Sequence, residues 1–195
     1  VSDKEKSSDK FKEYFNSNIE NLLGENRLPY SAQFLIKDKN RTKERPPVNL
    51  ALVIDRSGSM SGPPIVAAKS AIIQIADKLN SKDRLSLVSF DFEVETHFSN
   101  IKMDKKGISY AKTLVSEIYA RGSTDLGGGW FEGARCATKA IDEGEFKDGY
   151  VILLSDGMAN QGIQDPRELK IHASELSSRG IQTTSIGIGA HYSPL

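Results

Sequence analysis

Residues Val48-Asn49-Leu50-Ala51-Leu52-Val53-Ile54 form an almost unbroken apolar run that stops at Asp55. A run of this kind reads as a strand buried on both faces, as in the parallel sheets of α/β proteins. Apolar residues at helical spacing follow it. Residues 64–79 carry Ile65, Ala68, Ile72, Ile75, Ala76 and Leu79, and residues 108–120 carry Tyr110, Leu114, Val115 and Ile118. Residues 125–142 open on Gly127-Gly128-Gly129 and continue through Trp130, Phe131, Ala134 and Ala137, a pattern for a buried helix; residues 166–178 predict another. Further strands are expected at 84–92, 94–98, 150–155 and 181–188. Strands alternating with helices require right-handed crossovers and a covered sheet. The fold class is therefore α/β: a Rossmann-like, mostly parallel central sheet with helices on both faces. The two adjacent strands around Asp91-Phe92-Glu93 predict one antiparallel edge strand.

The chain of 195 residues divides by character. Residues 1–27 are charged but place Phe11, Tyr14, Phe15, Ile19, Leu22 and Leu23 on one helical stripe, an amphipathic segment that must pack on something. Residues 28–46 hold a strand-like stretch (Ala32, Phe34, Ile36) and a charged linker closed by Pro46-Pro47, and could begin an adjoining β-rich domain. Residues 47–195 form the α/β domain. Because the chain stops soon after a strand, where a covered sheet would take another helix, the domain reads as truncated at its C-terminus.

Lys plus Arg and Asp plus Glu both number 26, so no basic excess points to nucleic acid. No apolar stretch approaches the roughly 20 residues of a membrane-spanning helix. Cys136 is the only cysteine, which rules out an internal disulfide. That, with no visible signal peptide, leans to the cytoplasm. A chain that begins at Val1 also fits an excised segment, which leaves a secreted or surface parent open.

Just past the carboxyl end of the first strand, where open α/β sheets place ligands, come Asp55, Ser57 and Ser59. Two more loops fall at that end: Arg121-Gly122-Ser123-Thr124-Asp125, and Leu154-Ser155-Asp156-Gly157, where a strand again ends in aspartate. Glycines 58, 122 and 157 would let these loops approach closely. Carboxylates and hydroxyls are hard oxygen donors, suited to Mg²⁺, Mn²⁺ or Ca²⁺; two carboxylates among hydroxyls favour magnesium with retained water over a carboxylate-rich calcium cage.

Asp-x-Ser-x-Ser after an apolar strand, Thr in a Gly-Ser-Thr loop, and Ser-Asp-Gly after a later strand resemble the von Willebrand factor A domain with its metal-ion-dependent adhesion site. The resemblance spans about Pro47 to Ala190, and is strongest to the prokaryotic and intracellular branch. It implies that Asp55, Ser57, Ser59, Thr124 and Asp156 are the metal ligands, the serines directly and the aspartates directly or through water. It also implies that an Asp or Glu carboxylate of a partner protein, or water, takes the remaining position. Arg56, Met60, Arg121, Met158 and Asn160 flank those ligands and are the expected partner-binding rim, with both arginines able to pair with partner acids.

The expected function is thus a non-enzymatic, divalent-metal-dependent protein–protein binding module. One alternative is a scaffold with a structural or vestigial metal site. The other is a metal-dependent phosphohydrolase, disfavoured because Ser57 stands where that chemistry needs an acid beside nucleophilic Asp55. The Asp91, Glu93 and Glu95 alternation reads as a turn and the solvent face of an edge strand rather than a second ion site. Gly127-Gly128-Gly129 reads as backbone packing, since no Gly-x-x-x-x-Gly-Lys pattern exists. His97, His172 and His191 lack ligand-like spacing, and Cys136 reads as a small buried hydrophobe.

Overall fold

The computed structural model describes residues 45–156 and 166–188. The expectations for the N-terminal stripe, the 28–38 strand, the linker before Arg45, and Met158, Asn160 and His191 fall outside them. Among the described residues a five-stranded sheet forms from β1 (Asn49–Asp55), β2 (Arg84–Phe90), β3 (Val94–Lys102), β4 (Gly149–Ser155) and β5 (Ile181–Gly187), in the order β3-β2-β1-β4-β5. β1 runs parallel to β2 and β4, β4 runs parallel to β5, and β3 pairs antiparallel with β2. The α/β class, the parallel sheet and the antiparallel edge strand all appear as read from the sequence.

Among the described residues four helices connect the strands: α1 (Pro63–Lys78), α2 (Lys105–Glu117), α3 (Leu126–Asp142) and α4 (Pro166–Ser178). Pro63 and Pro64 start α1, where their missing N–H groups cost nothing. Asp104 caps α2 by accepting from the Lys106 and Gly107 N–H groups. That cap starts α2 earlier than residue 108, because Lys105-Lys106-Gly107 offers no apolar signal.

Alternation along β1 divides the core. Ala51 and Val53, with Val88, Phe90, Val151 and Leu153, form one cluster with Leu126, Trp130, Ala134 and Ala137 of α3 and with Ala173 and Leu176 of α4. Leu50, Leu52 and Ile54 point to the opposite face, where α1 lies against β1 and α2 against β3. Lys69 of α1 donates to the Ser116 and Ile118 carbonyls at the end of α2 (2.7 and 2.8 Å), tying that layer together. The glycines of α3 are packing residues: a Cβ on Gly129 would strike the Phe90 ring, and one on Gly133 would strike Val53.

β3 extends past the expected stop at Phe98 to Lys102. Register shifts between Leu85 and Leu87 and between Leu87 and Val88 mark irregularities in the pairing, and Asn100 adopts φ 56° while donating its N–H to Ser86 Oγ (2.9 Å). Each irregularity breaks the two-residue alternation from which a strand is read.

Candidate metal site

All four parallel strands end on the same side of the sheet, so the loops after β1, β2 and β4 gather there. Asp55 closes β1 and is fully buried. Its Oδ1 accepts the Ser57 N–H (2.8 Å), and its Oδ2 accepts the Ser155 hydroxyl (2.6 Å) from the end of β4. Burial pushes the Asp55 carboxyl above its ordinary value; the Ser155 and Ser57 hydrogen bonds pull it back only in part, and the neighbouring Asp156 charge pushes it further up. No basic group takes part, so among the described residues the charge of this buried acid is held by hydrogen bonds alone.

Ser57 starts a 3-10 turn (Gly58–Met60), and its Oγ lies 3.1 Å from Ser59 Oγ. Ser57 is buried and Ser59 exposed. Main-chain bonds lash the second loop to the first: Gly58 N–H donates to the Gly122 carbonyl (2.9 Å), and Arg121 N–H to the Arg56 carbonyl (2.6 Å). Gly122 sits at φ 68°, with the Phe92 ring 2.5 Å from where a Cβ would stand, so both conformation and space require glycine. Thr124, buried, lies in that tied loop. Asp125 is occupied as the cap of α3, accepting the Gly128 N–H (3.0 Å). Asp156 follows β4 and is nearly buried. The structure therefore brings Asp55, Ser57, Ser59 and Asp156 to one loop cluster, with the loop of Thr124 fastened beside it.

The donor set suits a hard divalent cation. It is all oxygen, with two carboxylates and three hydroxyls, and a buried anion lacking a counter-charge is an environment a cation relieves. Among the described residues no three His, Cys, Asp or Glu side chains are grouped to hold a metal, so hydroxyls would have to complete any such site.

The rim differs from expectation. Met60 is fully buried, because the 3-10 turn folds it inward. Arg56 is also buried; its Nε meets Asp91 Oδ2 (2.9 Å) and its Nη1 meets Glu95 (2.6 Å). Arg121 keeps 36% of its side chain exposed, but its Nε meets the same Asp91 Oδ2 (2.7 Å), its Nη2 meets Glu93 (2.8 Å), and its guanidinium lies over Phe92. Arg56 is thus turned inward, its Nη2 buried, and Arg121 is engaged through Nε and Nη2 by acids of this chain. Both are drawn aside by acids on the β2–β3 turn, of which Asp91 is fully buried rather than solvent-facing. Burial favours the neutral form of Asp91, yet the Glu93 N–H and the two arginines outweigh it and hold the carboxyl below its usual value.

Sequence reasoning passed over two residues here, Ser155 and Asp91. Ser155 was within reach, since residues 151, 153 and 155 of β4 share a face and Ile54 pairs with Leu154. Asp91 lies 35 residues from Arg56, and no local signal joins them.

A model of the von Willebrand factor type A domain matches residues 49–194. The chain belongs to the von Willebrand factor type A domain family. An uncharacterized protein of Synechocystis, sll0103, is 32% identical over 76% of this chain and 34% of its own length. Inter-alpha-trypsin inhibitor heavy chain H3 of Pongo abelii is 28% identical over 73% of this chain and 17% of its own. The chain thus spans about a third or less of the curated relatives it matches. Among solved structures, a von Willebrand factor type A protein from Catenulispora acidiphila superposes with TM-score 0.64 at 23% identity, covering 77% of this chain and 35% of that one. Proximal thread matrix protein 1 of the mussel byssus, with a zinc-occupied metal-ion-dependent adhesion site, gives TM-score 0.59 at 20% identity over 73% and 38%. Manganese-loaded TRAP protein of Plasmodium vivax gives 0.54 at 23% identity over 73% and 57%. These structures share the type A domain fold.

Proposed function

We propose that this type A domain is a divalent-cation-dependent protein-binding module. Asp55, Ser57, Ser59, Thr124 and Asp156 hold a Mg²⁺ ion, with Mn²⁺ or Ca²⁺ as substitutes, and an Asp or Glu carboxylate of a partner protein completes the site. The observation that carries this is Asp55: a fully buried acid, fixed through both oxygens at the loop junction, with no basic counter-charge among the described residues. Two fold relatives that hold zinc or manganese support a divalent ion. The bound ion supplies a concentrated positive charge that attracts an anionic oxygen. The chain's own part is to supply few negative charges, so the ion's field is not spent on the protein. Ser57 stands where a phosphohydrolase would need its acid beside Asp55, which supports binding rather than turnover.

The test is Mn²⁺ titration of the purified chain, followed by electron paramagnetic resonance of the bound ion with and without an aspartyl peptide. Saturable binding, a spectrum altered by the peptide, and loss of both in Asp55→Ala are expected. Absence of saturable binding would overturn the ion site. Saturable binding with a spectrum indifferent to carboxylates would overturn the role of the partner.

A further inference from the structure

We propose that Asp91 is the positioning residue that locks the first and second ion-binding loops in register and so sets how tightly the site holds its cation; this rests on the ion site proposed above. Asp91 is fully buried at the end of β2, and each of its acceptors is committed. Oδ2 takes both Arg56 Nε (2.9 Å) and Arg121 Nε (2.7 Å), and Oδ1 takes the Glu93 N–H (2.7 Å). Its carbonyl accepts the Asp125 N–H (2.7 Å).

The chain neighbours of those donors give the arrangement its meaning. Arg56 sits between Asp55 and Ser57, Arg121 precedes the Gly122 carbonyl that holds Gly58, and Asp125 follows Thr124. The carboxylate of this one residue outside the donor set therefore anchors a side chain from the first loop and one from the second, while its main-chain carbonyl holds the residue next to Thr124. It also adds, to the Glu95 and Glu93 pairs of those arginines, a buried counter-charge shared by both. Charge-assisted hydrogen bonds from both guanidiniums to one carboxylate oxygen tie the two side chains to a common point, so loss of the acid frees both side chains and leaves the loops held by their main-chain bonds alone.

Asp83 is the internal control. It is equally buried but lies at the opposite end of the sheet, where it accepts the Val48 N–H (3.0 Å) and the Asn80 N–H (2.7 Å). A merely structural acid of this kind affects stability and leaves ion affinity alone.

The experiment measures Mn²⁺ dissociation constants, and melting in EDTA, for the wild type, Asp91→Asn, Arg121→Lys and Asp83→Asn. Asp91→Asn should weaken Mn²⁺ binding by about 10–100-fold, the usual effect of removing a group that orients metal ligands. Arg121→Lys keeps the charge but loses the Nε contact, so weaker binding there reads position rather than charge. That variant, at a partly exposed side chain, also carries the measurement should Asp91→Asn not fold. Asp83→Asn should melt earlier yet bind Mn²⁺ like the wild type. Wild-type affinity in a folded Asp91→Asn, or in Arg121→Lys, overturns the positioning role while leaving the ion site intact. Equal weakening in Asp83→Asn overturns it too, by showing general destabilisation. A wild type that binds no Mn²⁺ overturns the ion site itself and this inference with it.

Discussion

Replacing Asp55 by asparagine should change stability in opposite directions depending on whether the cation is present. Without the ion, Asp55 is a carboxylate removed from water, with hydrogen bonds from Ser57 and Ser155 and no ion-pair partner among the described residues. Asparagine is nearly isosteric. Its Oδ1 can keep the Ser57 N–H, and its amide can donate to Ser155 Oγ in place of accepting from it. The substitution removes a buried charge without orphaning a partner, so Asp55→Asn should be as stable as the wild type in EDTA, or more so by about 1–2 kcal/mol. With ion at one hundred times its dissociation constant, the wild type gains about 2.7 kcal/mol that the variant forgoes. At about 2–4 °C per kcal/mol for a domain of this size, the wild type should melt about 5–11 °C higher with Mg²⁺ than with EDTA. Differential scanning calorimetry of both proteins in both buffers gives the four numbers. The curves should cross: the variant equal or ahead in EDTA, the wild type ahead in Mg²⁺. A wild type that leads by the same margin in both buffers would refute the reasoning, because Asp55 would then act only as a structural acceptor.

Three further outcomes are expected. Ser155→Ala removes the hydroxyl that orients Asp55 Oδ2 and should weaken Mn²⁺ binding by about tenfold in a direct titration. Gly129→Ala drives a methyl group into the Phe90 ring and should cost about 1–3 kcal/mol in urea unfolding. His97 shares a hydrogen bond with Ser89 (2.8 Å); burial, aided by Arg56 and opposed by Glu95 and Glu117, holds its imidazole below the ordinary value. The unfolded chain therefore takes up that proton first, so stability should fall as pH drops through about 6.5 and level off once the folded state also protonates. The pH dependence of the urea midpoint should lose that step in His97→Gln.

Where one short segment decides a structure, the sequence is a good guide. The apolar run of β1 needs only its own residues to demand burial on both faces, and the α3 pattern needs only its helical spacing. The loops that carry the proposed ligands were legible for the same reason: Asp55, Ser57 and Ser59 lie on one short segment, and Asp156 follows a strand parallel to β1. Side-chain direction within those loops was not. Arg56 and Met60 flank the proposed ligands in sequence, which made them rim residues on paper. A 3-10 turn buries Met60, and an acid 35 residues away captures Arg56. The length of β3 failed similarly, because pairing with β2 carries the strand across irregularities that erase its own periodicity.

Those irregularities bear on how this molecule avoids its own kind. A flat outer strand offers a row of unpaired N–H and C=O groups that invites another chain to extend the sheet. Along β3 the pairing with β2 is broken twice, Asn100 turns into the left-handed region, and Lys102 is exposed. Such a border is a poor template for strand addition. On that side the sheet therefore presents no self-sticking edge, and the end of the sheet where Asp55 lies is left for the proposed binding.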